Sequence, residues 1–452
     1  MAIDVETVLR QESAGLPRYT SYPPANHFIA GMGPQLLASM ASAVRKAETI
    51  SAYLHIPFCD RMCWFCGCHT KQTLRYEPIG EYIEGLIAEI GLWNEMLGMR
   101  PALSALHLGG GSPSLLRQGE WKKLGKALRD AFQFTSAAEI AVELDPSDNT
   151  PGLIENLKSL GLTRASIGVQ DFDPVVQAAI NRPQSFDETR KLVDDLRGAG
   201  VVSINIDALY GLPLQTEARL RKTLEQVISL TPDRVALFGY AHVPWLKAHQ
   251  RLIKDADLPG GRARYDQAGM AREILVAAGY QAIGIDHFAL PGDALAQASN
   301  RGQLVRNFQG YTTDAAKVRL GFGPSAIGCF PGGFVQNEVA IGRYASLVAA
   351  REFPLARGLA VSLDDQIHGY IIERLMCDLS FSFGTLTGKF GAHAEPAIQL
   401  ARRVAASDRH GLCAVDEEKF YIKPDAIPFV RLVASNFDQW LTRGEKKYSK
   451  VV

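Results

Sequence analysis

From residue 51 to about residue 240, short apolar runs alternate with longer amphipathic ones. The stretches 51–55, 105–108, 139–143, 164–168, 203–208 and 234–240 are of strand length and character. Between them, 80–97, 119–132, 152–160, 185–198 and 217–230 carry helical periodicity. Alternation at this spacing predicts βα units on a parallel sheet. Six such units predict an α/β fold, a partial (β/α)6 TIM-like barrel, whose chemistry lies at the C-terminal ends of the strands.

The flanks read differently. Arg18-Tyr19-Thr20-Ser21-Tyr22-Pro23-Pro24 is aromatic, basic and Pro-rich, so it is neither helix nor central strand. Helical periodicity follows over 34–46, and residues 1–50 as a whole are expected to form an N-terminal arm. Past the sixth strand a turn-rich loop leads to a helix over 262–278. The run 321–328 (GFGPSAIG) is glycine-rich and is expected as a loop close to a bound ligand. From about 360 the text turns helical, at 362–378 and 394–408. A hairpin-like LCAVDEEKFYIKP follows, then a last helix over 429–442. The expected domains are the barrel with its extension over 51–358 and a mainly helical C-terminal domain over 359–452, covering the barrel mouth.

Composition adds bounds. The chain has 452 residues, 47% of them hydrophobic, enough for a large core and more than one domain. With 48 acidic against 48 basic residues, nothing points to nucleic acid or an anionic membrane surface. No apolar run has the length of a membrane span, and MAIDVETVLR is no signal peptide, so a cytoplasmic location is expected.

Four of the seven cysteines fall within Cys59-Asp60-Arg61-Met62-Cys63-Trp64-Phe65-Cys66-Gly67-Cys68. Three thiolates spaced C-x3-C-x2-C can close round one face of a cubic iron–sulfur cluster, leaving one iron open to a small molecule. Structural zinc wants two separated ligand pairs, and Cys329, Cys377 and Cys413 are isolated. An odd cysteine count without a secretory signal argues against a disulfide framework. The loop follows the first strand directly, where a barrel of this kind does its chemistry. Other strand ends are polar or glycine-rich: Gly109-Gly110-Gly111-Ser112-Pro113-Ser114, Glu143-Leu144-Asp145-Pro146, Gly168-Val169-Gln170-Asp171 and Asn205-Ile206-Asp207. Each alone could be a cap or a loop. Four around one loop are better read as a site.

The stretch YLHIPFCDRMCWFCGCHT resembles the cluster loop of the radical S-adenosylmethionine (SAM) superfamily, and within it the oxygen-independent coproporphyrinogen III oxidase branch. The likeness continues through GVQDFDPVVQAAINRPQ, NIDALYGLPLQT, PDRVALFGYAHVP and NFQGYTT, and so spans nearly the whole chain. It implies a [4Fe-4S] cluster on Cys59, Cys63 and Cys66. It implies a first SAM lined by Tyr53, Gly110, Glu143 and Ile327. A second SAM would be lined by Phe65, Gly111, Ser112, Gln170, Arg182, Asp207 and Ala241. Phe308 and Gln309 would lie near the active centre, and Cys68 would have a supporting catalytic role. Ser112 stands for the family's usual Thr, which keeps the hydroxyl. Pro24 stands for the usual Thr after RYTSYP.

By the same resemblance, a 5′-deoxyadenosyl radical takes a β-hydrogen from a propionate of coproporphyrinogen III. Loss of CO2 and one electron leaves a vinyl group, and two rounds give protoporphyrinogen IX. No acid–base pair is required. The implied partners are this substrate and a reducing donor such as flavodoxin or ferredoxin, and the chain is expected to be a monomer. Arg18, Arg301, Arg306 and Arg357 are candidates for holding the propionates. The alternatives are a related haem chaperone, a haem-modifying radical SAM paralogue and a zinc-stabilised binding module. The chaperones carry Phe where this chain has Cys68 and lack the RYTSYP arm, so both features favour the enzyme.

Overall fold

The structure is a computed structural model in which residues 3–11, 15–148 and 150–441 are described. Six parallel strands form its centre: β1 (Ile50–Ile56), β2 (Ala102–Gly110), β3 (Gln133–Leu144), β4 (Arg164–Gln170), β5 (Ser203–Tyr210) and β6 (Arg234–Gly239). Helices α1 (Glu77–Leu97), α2 (Gln118–Ala131), α3 (Leu153–Leu160), α4 (Phe186–Gly198) and α5 (Glu217–Ser229) connect them, and α6 (Gly261–Ala277) follows β6. The predicted α/β partial barrel is therefore present.

Alternation along the strands divides the sheet into two faces. Ala52, Leu54 and Ile56 of β1, Leu106 and Leu108 of β2, and Val142 and Leu144 of β3 join one apolar core with the helices. The intervening positions are Ser51, Tyr53 and His55 on β1, His107 on β2, Glu143 on β3, Ser166 on β4, and Asn205 and Asp207 on β5. Because side chains alternate with period 2, these polar groups share the opposite, concave face. The helices answer with matching stripes. In α1, Ile79, Ile83, Leu86, Ile90, Trp93 and Leu97 are buried at helical spacing, and Gly98 ends the helix in the left-handed conformation. In α4, Ser185 and Glu188 form a reciprocal capping box.

Three expectations are corrected. The run 321–328 is not a simple loop: Arg319–Phe322, labelled β7, pairs parallel to β1, with Gly321 opposite Tyr53, and Ile327–Phe330 turns back antiparallel to it. A Cβ on Gly321 would meet the Ile327 backbone at 2.7 Å, so glycine is what lets the two strands close. Residues 1–50 are not one arm. Val8, Leu16 and Tyr19 pack into the core of the C-terminal region, whereas Met40, Ala41 and Val44 of the helix Met32–Lys46 pack into the main core. Ile29–Ala30 pairs with Leu355–Ala360 at one edge of the 13-stranded sheet. The last helix is only Val430–Ser435, preceded by a 3-10 segment containing Pro428, and the Asn436 side chain closes it by donating to the Leu432 carbonyl at 3.2 Å. Residue 442, the end of the expected helix, lies outside the described residues.

The C-terminal region combines the helices Leu363–Asp378 and Glu395–Ser407 with a small antiparallel sheet. Its strands Cys413–Val415 and Lys419–Ile422 are the expected hairpin, and Ser380–Ser382 is a third strand that lacked a sequence signal. Cys377 and Cys413 are buried there. Among the described residues no helix is long and apolar enough to cross a membrane.

Candidate active site

The cysteine loop leaves the end of β1 and is clamped from two sides. On one side the Trp64 N–H donates to the Ile180 carbonyl at 2.9 Å, and the Asn181 amide donates to the Met62 carbonyl at 2.9 Å. On the other, the loop after β6 supplies three donors. Lys247 reaches the Cys68 carbonyl at 2.8 Å, His249 the Cys66 carbonyl at 2.7 Å, and Gln250 the Phe65 carbonyl at 2.9 Å. The Gln250 amide also donates to the Ala241 carbonyl at 3.2 Å, so one side chain ties together two residues assigned by resemblance to a second SAM.

The thiols of Cys59, Cys63 and Cys66 lie within electrostatic reach of one another. Burial, reinforced by the neighbouring thiols, pushes the Cys59 thiol up. Burial also raises Cys63, against the pull of the Arg182 guanidinium, whose Nη1 lies 3.4 Å from its sulfur. Cys66 is brought down to about 6, chiefly by a hydrogen bond donated from the Cys68 thiol. Among the described residues no three His, Cys, Asp or Glu side chains converge on a single ion. Three neighbouring thiols in the spacing C-x3-C-x2-C are the donor set that an iron–sulfur cluster takes.

Beside the loop runs the triple glycine. The N–H groups of Gly111 and Ser112 donate to the carbonyls of Ile56 and Phe58, each at 2.7 Å, and so zip the end of β2 onto β1. A Cβ on Gly111 would stand 2.5 Å from the Phe58 carbonyl oxygen. One on Gly110, whose φ is +106°, would strike the His55 ring. Only glycine lets the backbone lie this close to the cluster loop. The Gly110 N–H donates to the Glu143 carboxylate at 2.9 Å, and His107 Nε2 contacts its other oxygen at 2.9 Å. Burial alone would raise Glu143, but His107 and Gly110 outweigh it and hold it below its usual value.

Tyr53 and His55 fix one another. His55 Nε2 faces the His69 carbonyl at 2.7 Å, an acceptor only, so it carries the proton and Nδ1 accepts from the Tyr53 hydroxyl at 3.0 Å. Burial brings His55 down to about 4.

Arg182 is the hub of the β4 side. Its Nη1 pairs with Asp145 at 2.9 Å as well as with Cys63, and its Nη2 donates to the Gly168 carbonyl at 2.5 Å, while Nε is buried without a partner. Gln170 has a φ of +67°, a left-handed conformation that is strained for a side chain other than glycine. Ser112 and Ser114 both donate to Asp148, at 2.5 and 2.7 Å, and burial with the nearby Asp145 raises Asp148 to about 6. Asp207 accepts from Ser166 at 3.0 Å and from Asn205 at 2.7 Å. Burial, then Glu143, raises it.

The remaining assigned residues lie further round the fold. Ile327 begins the strand beside β7. Phe308, 37% exposed, and Gln309 form the tip of a hairpin between Val305–Asn307 and Gly310–Thr312. Of the four candidate arginines, Arg18 and Arg306 meet: Arg306 Nη2 donates to the Arg18 carbonyl at 3.4 Å. Arg301 is exposed beside Gln303, and Arg357 donates to the Phe28 carbonyl at 2.7 Å; neither joins them. Sequence reasoning passed over His55, His107, Lys247, His249 and Gln250. His55 had a signal, since it sits in the strand running into the cluster loop. The loop after β6 had none.

A sequence model of the radical SAM superfamily matches residues 53–227. An oxygen-independent coproporphyrinogen III oxidase of Bradyrhizobium diazoefficiens is 44% identical over 437 residues, covering 97% of each chain. The enzyme of the same name from Escherichia coli is 37% identical over 440 residues, covering 96% of each. The solved structure of the Escherichia coli coproporphyrinogen III oxidase, described as a radical SAM enzyme, superposes with a TM-score of 0.90. It is 35% identical, and the match covers 98% of this chain and all of that one.

Proposed function

The chain belongs to the oxygen-independent coproporphyrinogen III oxidase family of radical SAM enzymes, and from that premise we propose that it converts two propionates of coproporphyrinogen III to vinyl groups. The observation that carries this reading is the gathering of Cys59, Cys63 and Cys66 at the end of β1, against the triple glycine of β2 and Glu143 of β3. The residues fit the implied groups: three neighbouring thiols suit a cluster, and glycine at 110 and 111 lets the end of β2 close on His55 and Phe58 beside them, where a Cβ would clash. Cys59, Cys63 and Cys66 would hold the [4Fe-4S] cluster. Tyr53, Gly110, Glu143 and Ile327 would line a first SAM. When bound, the pair supplies a carbon-centred radical strong enough to take hydrogen from an alkyl chain.

The chain's own residues do the positioning. Glu143, held ionised by His107 and Gly110, offers a fixed anion at the mouth. Tyr53 and neutral His55 wall it without a titratable charge near pH 7. Arg182, with a free Nε, is the natural contact for an anionic group of a second SAM beside Phe65, Gly111, Ser112, Gln170, Asp207 and Ala241. A low-potential donor of the flavodoxin or ferredoxin class would supply electrons to a monomer in the cytoplasm.

The test is anaerobic turnover with reconstituted cluster, SAM, reductant and coproporphyrinogen III, following vinyl product and 5′-deoxyadenosine together. Coupled appearance is expected. Deoxyadenosine without vinyl product would move the substrate elsewhere, and tight haem binding with neither product would overturn the enzyme reading.

A further inference from the structure

Behind β6, on the helix side of the sheet, lies a cavity of about 820 Å³ between α6 and Pro424–Arg431 of the C-terminal region. None of the residues assigned to the cluster or to SAM lines it. Its floor is built of Arg18, Arg264 and Arg306 with Tyr210, Gly239 and Asp286. Arg18 Nη2 donates to the Gly239 carbonyl at 2.7 Å. A Cβ on Gly239 would stand 3.1 Å from Arg264 Nη2, so the two guanidinium groups approach the same glycine. Arg306 joins through the Arg18 carbonyl and lies 3.6 Å from Asp286.

Charge on this floor is unbalanced. Asp286 is its carboxylate, and it is already held at about 2: burial would raise it, but Arg306, His287 and Arg18 outweigh burial. Arg264 is 8% exposed, its Nε is buried without a partner, and it meets no carboxylate among the described residues. Two nitrogens of Arg306, also 8% exposed, are buried unpartnered as well. Burial depresses the charged form of Arg18 and of Arg264. Desolvating a cation without an anion is costly, and such groups are ordinarily found paired. At the rim, Asp266 is tied to Arg262 at 2.9 Å, while Arg272, Glu273 and Asp425 are exposed. The volume is that of a small-molecule site, with forked donors converging at its base.

We propose that this cavity is a binding site for an organic anion bearing several carboxylates, recognised by Arg264, Arg18 and Arg306. Such carboxylates come from two sources: the propionates of a tetrapyrrole, which rests on the reading of the reaction above, or a free polycarboxylate, which does not.

The experiment uses the full-length protein holding its cluster and two probes: fluorescent coproporphyrin III, and citrate followed by calorimetry. Arg264→Gln is expected to weaken the bound probe by roughly tenfold or more, with Arg264→Lys restoring part of the loss. Arg272→Glu at the exposed rim, which leaves the fold untouched, is expected to weaken it by roughly threefold. Arginine-dependent binding of coproporphyrin III assigns the site to tetrapyrrole propionates. Arginine-dependent binding of citrate alone assigns it to a free polycarboxylate. If neither probe is weakened by Arg264→Gln or Arg272→Glu, the proposal is wrong. Wild-type turnover, measured beside these, fails or succeeds independently of the citrate arm, so loss of the reaction reading and loss of the site are told apart.

Discussion

Arg182 and Arg264 are both buried arginines at the C-terminal ends of one sheet, and their surroundings are opposite. Arg182 faces the concave side and is pinned by Asp145, Cys63 and the Gly168 carbonyl. Arg264 faces the helix side, against the Tyr210 ring, with no carboxylate beside it among the described residues. Almost every donor at the mouth is answered by a neighbouring strand or loop, so the mouth is assembled before any ligand arrives. The rear cavity leaves its charge to be answered from outside. Preorganisation and recruitment thus sit on the two faces of the same strands.

Replacing a ligand thiol should break the mouth most severely. Cys63→Ser is expected to abolish the cluster chromophore and lower turnover by roughly a thousandfold or more, as read by absorbance and vinyl product. Cys68→Ser should keep the chromophore and lose activity, because the other three thiols hold the cluster; loss of the chromophore would show that the thiolates are misassigned. The two arginines sharpen the comparison further. Arg182→Gln strands the Asp145 carboxylate and should destabilise the protein by about 3 kcal/mol in thermal or denaturant unfolding. Arg264→Met removes an unpaired buried cation and should stabilise the ligand-free protein by about 1 kcal/mol. A fall in stability instead would mean that Arg264 has an internal partner.

The smallest effect is in pH. Burial lowers His55 to about 4, so its contribution to stability is complete above the unfolded value near 6.5 and is lost as pH falls toward 4. Burial raises Glu89 to about 7 despite its bonds from Tyr344, Gly323 and Asn337, so its contribution is complete below about 4.5 and is lost as pH rises through 7. The slopes oppose one another between pH 4.5 and 6.5. His55→Gln should unmask falling stability with rising pH across that window, measurable as unfolding midpoints.

The barrel was legible because each βα unit carries its own signal: period-2 strands, helical stripes, caps such as Ser185 with Glu188. The cysteine loop was legible because its ligands are contiguous. Other features depend on distant pairing. β7 hides in a glycine-rich run because its strand character comes from lying against β1, some 270 residues earlier in sequence. Lys247, His249 and Gln250 look like ordinary loop residues until the fold brings them to the cysteine loop's carbonyls. The split of residues 1–50 between two cores is equally invisible locally, since both Val8 and Val44 are simply apolar.

The placement of β7 has a consequence for synthesis. β1 carries the cysteine loop, yet its second hydrogen-bonded neighbour is not made until residues 319–322 leave the ribosome. Until then β1 stands as an open edge, with the four cysteines of the loop already emerged beside it. An unpaired edge is where nascent chains associate wrongly. A strand made late thus seals the first of the six central ones, and a ribosome stalled before residue 319 would display the loop on an unfinished edge.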